Sequence, residues 1–345
     1  MQHPLPFQTT DNMAFTLDAN DLTGLTAYLR ERKWIAPDES ISSAEKPGEG
    51  NMNYVLRVRT NFRSFIIKQA RNYVEKYPSI PAPAERADIE GKFYELIQQN
   101  PILRSFTPEM NNLDLDHHVL TMEDLGSSSD FLFLYKEGKT LDIEALRQLI
   151  QFLSVLHQEF TNETVTASME NRAMRQLNAE HIFNYPYLED NEFNLDEVLP
   201  GLQDLALTYK TDQALKSRIK ALGDRYLTDG KHLLHGDYYP GSWLKTLAGD
   251  VKVIDPEFCF LGPAEFDLSV TMAHLIMADQ PESIRMEAMA VYKQPEKFDM
   301  KLMNQLTGVE IMRRIIGLAQ LPLSADLEGR KEMLKTAYAL IMGQG

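Results

Sequence analysis

The change of hydrophobic period near residues 124–129 constrains the fold of this 345-residue chain more than any other feature. Ahead of it lie short runs rich in β-branched and aromatic residues: Ile41–Glu45, Tyr54–Val58, Ser64–Gln69 and Val119–Glu123. Beyond it, Ile143, Leu146, Leu149, Ile150, Leu153 and Leu156 recur at the spacing of one helix face. A period near two suits a half-buried strand and a period of 3.6 suits a helix, so the two parts build different layers. The pattern predicts a strand-rich part over residues 1–125 and a mostly helical part over residues 126–345. Asn20-Asp21 reads as the cap of an amphipathic helix through LTGLTAYLRERKWI, and Pro83 as the opening of a helix from about Ala84 to Gln99. Between Lys68 and that helix, YVEKYPSIPAP reads as a Pro-punctuated loop. A strand-and-loop block from His232 to Asp267 interrupts the later helices.

Charge narrows the partners. The formal net charge is −15, and no long Lys/Arg run offsets it. Such a surface repels phosphate backbones and anionic headgroups, so neither nucleic acid nor a membrane is an expected partner. A few cations, dipoles and metal ions inside a cleft still permit an anionic nucleotide. No apolar run approaches the roughly 20 residues that span a bilayer. The opening stretch lacks the basic and apolar regions of a secretory signal, and the single cysteine, Cys259, can form no internal disulfide. These features predict a soluble cytoplasmic protein.

The chemistry concentrates in HLLHGDYYPGSWLKTLAGDVKVIDPEF, residues 232–258. Two short apolar runs each deliver acids to a strand end, Asp237 after the first and Asp255 with Glu257 after the second. One carboxylate placed so can orient and deprotonate a hydroxyl while others hold Mg²⁺. Pro256 fixes the backbone between Asp255 and Glu257, which would share one side of an extended segment. Lys68, in FIIKQA, ends an apolar strand and needs an anionic partner if buried. Glu90 on the following helix is the expected partner, with Glu85 and Glu95 as alternatives. Arg313-Arg314, inside the apolar helix EIMRRIIGLAQLP, must also find acceptors.

HGD, with Ser242 five residues and DPE eighteen residues beyond Asp237, resembles the aminoglycoside phosphotransferase and choline kinase group. Within that group it is most similar to the 5-methylthioribose kinases. Their HGD-x-x-x-GS, and their DPEF followed by Gly-Pro and Phe-Asp, are matched by HGDYYPGS and DPEFCFLGPAEFD. The resemblance runs from about residue 45 to 320 and implies an α+β, protein-kinase-like fold of two lobes. A small antiparallel sheet lobe would bind ATP against a larger, mostly helical lobe.

The resemblance implies Asp237 as the catalytic aspartate and Asp255, Glu257 and Ser242 as the Mg²⁺ site. Lys68, supported by Glu90, would grip the α- and β-phosphates. Gly50 and Asn51, in GEGNMNYVLRV, would lie in the phosphate-covering turn. Glu123 and Leu125, in MEDLG, would meet the adenine edge through their main chain. Arg313, Arg314 and Tyr239 would face the acceptor. The resemblance also implies a homodimer as the assembly.

The chain departs from the subgroup in two places. NYVEKYPSIPAPAER holds no Trp where those kinases carry a Trp-containing loop. Tyr238-Tyr239-Pro240 replaces a more usual Leu-His-Thr, with Trp243 close by. The acceptor therefore stays open among methylthioribose, another pentose, an amino alcohol and an aminoglycoside. Glu159, Glu265 and Asp267 are candidate linings for a cationic acceptor, whereas the arginine pair favours a neutral or anionic one. A nucleotide-binding pseudokinase is the alternative of a different class, and the presence of Lys68, Asp237 and Asp255 stands against it.

Overall fold

The Asp21 carboxylate accepts the amide of Gly24 at 2.8 Å and so starts α1, Leu22–Glu31, satisfying a donor the helix leaves unpaired. The computed structural model describes residues 15–48 and 52–344. After α1 come β1 (Ile41–Glu45), β2 (Tyr54–Thr60), β3 (Ser64–Gln69), a hairpin of β4 (Tyr73–Val74) and β5 (Tyr77–Pro81), α2 (Arg86–Ile97), α3 (Pro101–Phe106), β6 (Met110–Asp114) and β7 (Val119–Glu123). Five of these strands form one antiparallel sheet in the order β1-β2-β3-β7-β6.

Period-two alternation decides what each face of that sheet meets. Phe65 and Ile67 of β3 join Leu56, Val58 and Val119 in a core shared with Leu25 and Leu29 of α1. The intervening Ile66 packs against the larger core on the opposite face, the side on which α2 lies. Lys68 falls on that second face by the same alternation.

The helical lobe follows with β8 (Ser128–Asp130), α4 (Ile143–Glu159), α5 (Arg172–Ala179), α6 (Leu202–Lys210), α7 (Gln213–Tyr226), β9 (His232–Leu234), β10 (Trp243–Thr246), β11 (Val251–Val253), β12 (Phe260–Gly262), α8 (Glu265–Met277), α9 (Glu282–Val291), α10 (Met300–Ile316) and α11 (Leu327–Met342). The apolar stripe of α4 is buried beyond its half-buried first residue Ile143, with Leu146, Leu149, Ile150, Leu153 and Leu156 inaccessible to solvent. Among the described residues no helix is long and apolar enough to cross a membrane.

Two local readings change. YVEKYPSIPAP holds a short hairpin of β4 against β5, and its prolines are tolerated because, among the described residues, no third strand joins that sheet. MNNLD at 110–114 forms the edge strand β6, whose asparagines hid it from a hydrophobic pattern. Gly236, between β9 and Asp237, has φ +88°, and a Cβ there would sit 2.1 Å from the Phe258 carbonyl oxygen. Gly236→Ala is therefore expected to destabilise the fold by about 2 kcal/mol or more, read as a lower denaturant midpoint.

Candidate active site

Pairing of β9 with β12, Leu234 opposite Phe260, brings the two acidic loops side by side. Asp237 follows β9, while Asp255 and Glu257 sit between β11 and β12. The Asp237 loop is held from beneath by Asp267 of α8, which is fully buried. Its carboxylate accepts the His235 amide at 2.7 Å, the Gly236 amide at 3.0 Å and a contact from His157 Nε2 at 3.2 Å. His235 lies buried against the second loop, its Nε2 donating to the Ile254 carbonyl at 3.0 Å, and burial lowers its pKa. The Ser242 hydroxyl is likewise turned inward, donating to the main-chain carbonyl of Asp237 at 2.9 Å.

The expectation that Asp255 and Glu257 share one side does not hold, because Asp255 has φ +62° and the segment is not extended. The two carboxylates diverge. Asp255 contacts Lys68, and its side chain remains 43% exposed, which leaves it open to the cleft. Glu257 is buried, accepting from Asn53 Nδ2 at 3.0 Å and lying 3.4 Å from Arg86 Nε. Burial pushes the Glu257 carboxyl up to about 8.

Lys68 meets Glu90 at 2.9 Å, and neither Glu85 nor Glu95 takes that place. Burial opposes its charge, but Asp255 and Glu90 outweigh burial and hold the ammonium well above its ordinary pKa. Gly50 and Asn51 lie outside the described residues. At the junction between the lobes, the Glu123 amide is taken by the Glu109 carbonyl at 2.8 Å. The main chain of Leu125 has no backbone partner among the described residues.

On the other side of Asp237 stands the arginine pair of α10. Arg314 Nη2 reaches Asp237 Oδ1 at 3.2 Å, and Arg313 Nη1 lies 3.9 Å from the same oxygen. Both arginines are also bound by Glu310, Arg314 Nε at 2.6 Å and Arg313 Nη1 at 3.0 Å. Sequence reasoning passed over Glu310, although its place three and four residues ahead of the pair was a readable signal. Glu310 in turn meets His274 Nε2 at 3.1 Å, and His274 Nδ1 faces the Tyr135 hydroxyl. The Arg314 guanidinium lies 4.7 Å from the centre of the Tyr239 ring.

Several expected pocket residues are elsewhere. Tyr238 and Trp243 are fully buried, Tyr238 stacked on Phe152 with its hydroxyl donating to the Leu149 carbonyl at 2.9 Å. They are core residues, so only Tyr239 of the altered loop faces the site. Asp267 is spent on the loop and Glu265 accepts the Asp299 amide at 2.6 Å, so neither is free to line a cationic pocket.

A small sheet lobe over a helical lobe, with a lysine–glutamate pair facing two acidic loops, defines a class. The chain belongs to the phosphotransferase enzyme family, whose profile matches residues 43–303. It is 28% identical over 261 residues to the methylthioribose kinase of Yersinia pseudotuberculosis serotype O:3 (strain YPIII), covering 72% of this chain. The chain spans 62% of the length of that relative. Its protein-kinase-like fold is shared with the Streptococcus pneumoniae choline kinase LicA. The AMP complex of LicA superposes with a TM-score of 0.52 at 13% identity, over 93% of this chain and 98% of that one. A Plasmodium vivax ethanolamine kinase gives a TM-score of 0.52 at 10% identity, over 97% of this chain and 93% of that one.

Burial and the nearby Arg314 push the His274 pKa from 6.5 down to about 4, against the pull of Glu310. The unfolded chain therefore binds the extra proton first as pH falls, and stability drops from pH 6.5 toward pH 4. The loss is roughly 3 kcal/mol at 1.36 kcal/mol per unit. His274→Gln is expected to flatten this part of the melting-temperature profile, measured by calorimetry from neutral to acid pH.

Proposed function

We propose that this chain is an ATP-dependent kinase of a hydroxyl on a small, sugar-like acceptor, with 5-methylthioribose the first candidate. The observation that carries the reading is the convergence of Lys68 on Asp255 beside the loop of Asp237. Phosphoryl transfer asks a protein mainly for positioning and for charge complementarity around the moving group. In this reading Asp237 orients the acceptor hydroxyl and takes its proton. Lys68, held by Glu90, neutralises the α- and β-phosphates, and Gly50 and Asn51 lie over them. Glu123 and Leu125 offer main-chain groups to the adenine edge.

The donors present suit magnesium, which takes oxygen ligands, keeps several waters and needs only one or two carboxylates beside the phosphates. Asp255, with its exposed carboxylate, is the residue best placed to hold it. Glu257 and Ser242 complete the candidate set, although their side chains now serve Arg86, Asn53 and the Asp237 carbonyl. When bound, the ion would offset the negative charge of the phosphates.

The acceptor side is close to electrically balanced. Arg313 and Arg314 face Asp237 and Glu310, two cations against two anions. A neutral alcohol fits that balance better than an ammonium, which would meet two guanidinium groups. The AMP complex of LicA supports an adenine nucleotide as donor, and the methylthioribose kinase relative supports a sugar acceptor.

Coupled ADP release with Mg·ATP across 5-methylthioribose, ribose, choline, ethanolamine, homoserine and an aminoglycoside tests this. Saturable turnover with methylthioribose is the expected result. Turnover with choline or an aminoglycoside alone would keep the kinase and discard the neutral acceptor. Nucleotide binding without transfer to any of them would favour a pseudokinase. Asp237→Ala is expected to lower turnover by about a thousandfold while ADP still binds in calorimetry. Wild-type turnover in that variant would remove Asp237 from its role.

A further inference from the structure

Arg86 opens α2 and is fully buried, an environment that costs a guanidinium several kcal/mol unless its donors are met. All five of its N–H groups have acceptors. Nε donates to Asn53 Oδ1 at 2.8 Å. Nη1 donates to the carbonyls of Arg71 at 2.7 Å and Pro83 at 2.8 Å. Nη2 donates to those of Met52 at 2.8 Å and Tyr73 at 3.2 Å. One side chain thus joins the start of α2, the Met52–Asn53 segment that enters β2, and the base of the β4–β5 hairpin.

The same cluster crosses between the lobes. Asn53, which accepts from Arg86, donates from Nδ2 to Glu257 Oε2 at 3.0 Å, and Arg86 Nε lies 3.4 Å from that oxygen. On the far side, Asn171 at the start of α5 donates to the main-chain carbonyls of Glu257 at 2.9 Å and Cys259 at 3.0 Å. Glu257 is therefore gripped by its carboxylate from the sheet lobe and by its backbone from the helical lobe. A staple that only closed the hairpin would have no need of the link to Glu257.

We propose that Arg86 is a positioning residue for the metal–nucleotide complex, fixing Asn53 and the Glu257 carboxylate of the acidic segment at 255–257 relative to each other. The inference rests on the kinase reading. With every donor engaged, Arg86 acts through these partners and has none left for a phosphate. Neighbours that orient metal-binding groups typically change metal affinity by about 10- to 100-fold when removed.

Calorimetric titration of the full chain with ADP, once with Mg²⁺ and once with EDTA, tests the proposal. Arg86→Gln is expected to lose about tenfold or more of the affinity gained from Mg²⁺, while metal-free ADP binding stays within about threefold of wild type. Asn53→Ala, which removes the bridge and leaves the buried cation in place, is expected to lose the same gain in part. It decides the matter should Arg86→Gln fail to fold. An unchanged Mg²⁺ gain in Asn53→Ala would overturn the proposal. So would an equal loss of metal-free and metal-bound ADP, since that is what a purely structural staple gives. A wild-type protein that binds no ADP at all would instead overturn the kinase reading, and this inference with it.

Discussion

The buried carboxylate of Asp267 is the constraint on which the site depends. It receives two consecutive main-chain amides from the loop ahead of Asp237 and touches His157, itself tied to Tyr292 at 2.7 Å. A charge so placed is tolerable only when fully hydrogen-bonded. That requirement fixes the distance between α8 and the loop, and the turn at Gly236 follows from it. The pairing of β9 with β12 then carries the constraint into the second acidic loop.

From that base the charges sort into two groups on either side of the cleft. Lys68 and Glu90 come from the sheet lobe and face Asp255. Arg313, Arg314 and Glu310 come from α10 and face Asp237. Each cation has at least one carboxylate, so the arrangement is held by pairing and leaves little uncompensated field in the absence of ligand. A nucleotide brings charge of the opposite sign to Lys68, and the exposed Asp255 carboxylate is the group most open to a counter-ion beside it.

Much of this was legible in the residues. The strands at Ile41–Glu45 and Ser64–Gln69, the α4 stripe and the cap at Asp21 follow from local periodicity and capping chemistry, which depend on neighbours in the chain. The spacing within HGDYYPGS and DPEFCFLGP was equally plain. What escaped was set by partners far along the chain. Nothing in DPE announces that Asp255 takes a left-handed backbone while Glu257 turns to Asn53. Nothing in AERADIE marks Arg86 as buried. An arginine reads as surface until a ring of main-chain carbonyls is seen around it. The edge strand β6 was hidden for another reason, since an edge needs little apolar surface to pair.

Adjacent positions of the loop after β9 answer to different demands. Tyr238 points down into the core against Phe152, whereas Tyr239 lies beneath Arg314 and beside His274. Change at the first disturbs the core, whereas change at the second alters what surrounds the Arg314 guanidinium. One step along the chain thus separates a ring anchored in the scaffold from a ring that can be exchanged while the packing around Phe152 stays as it is.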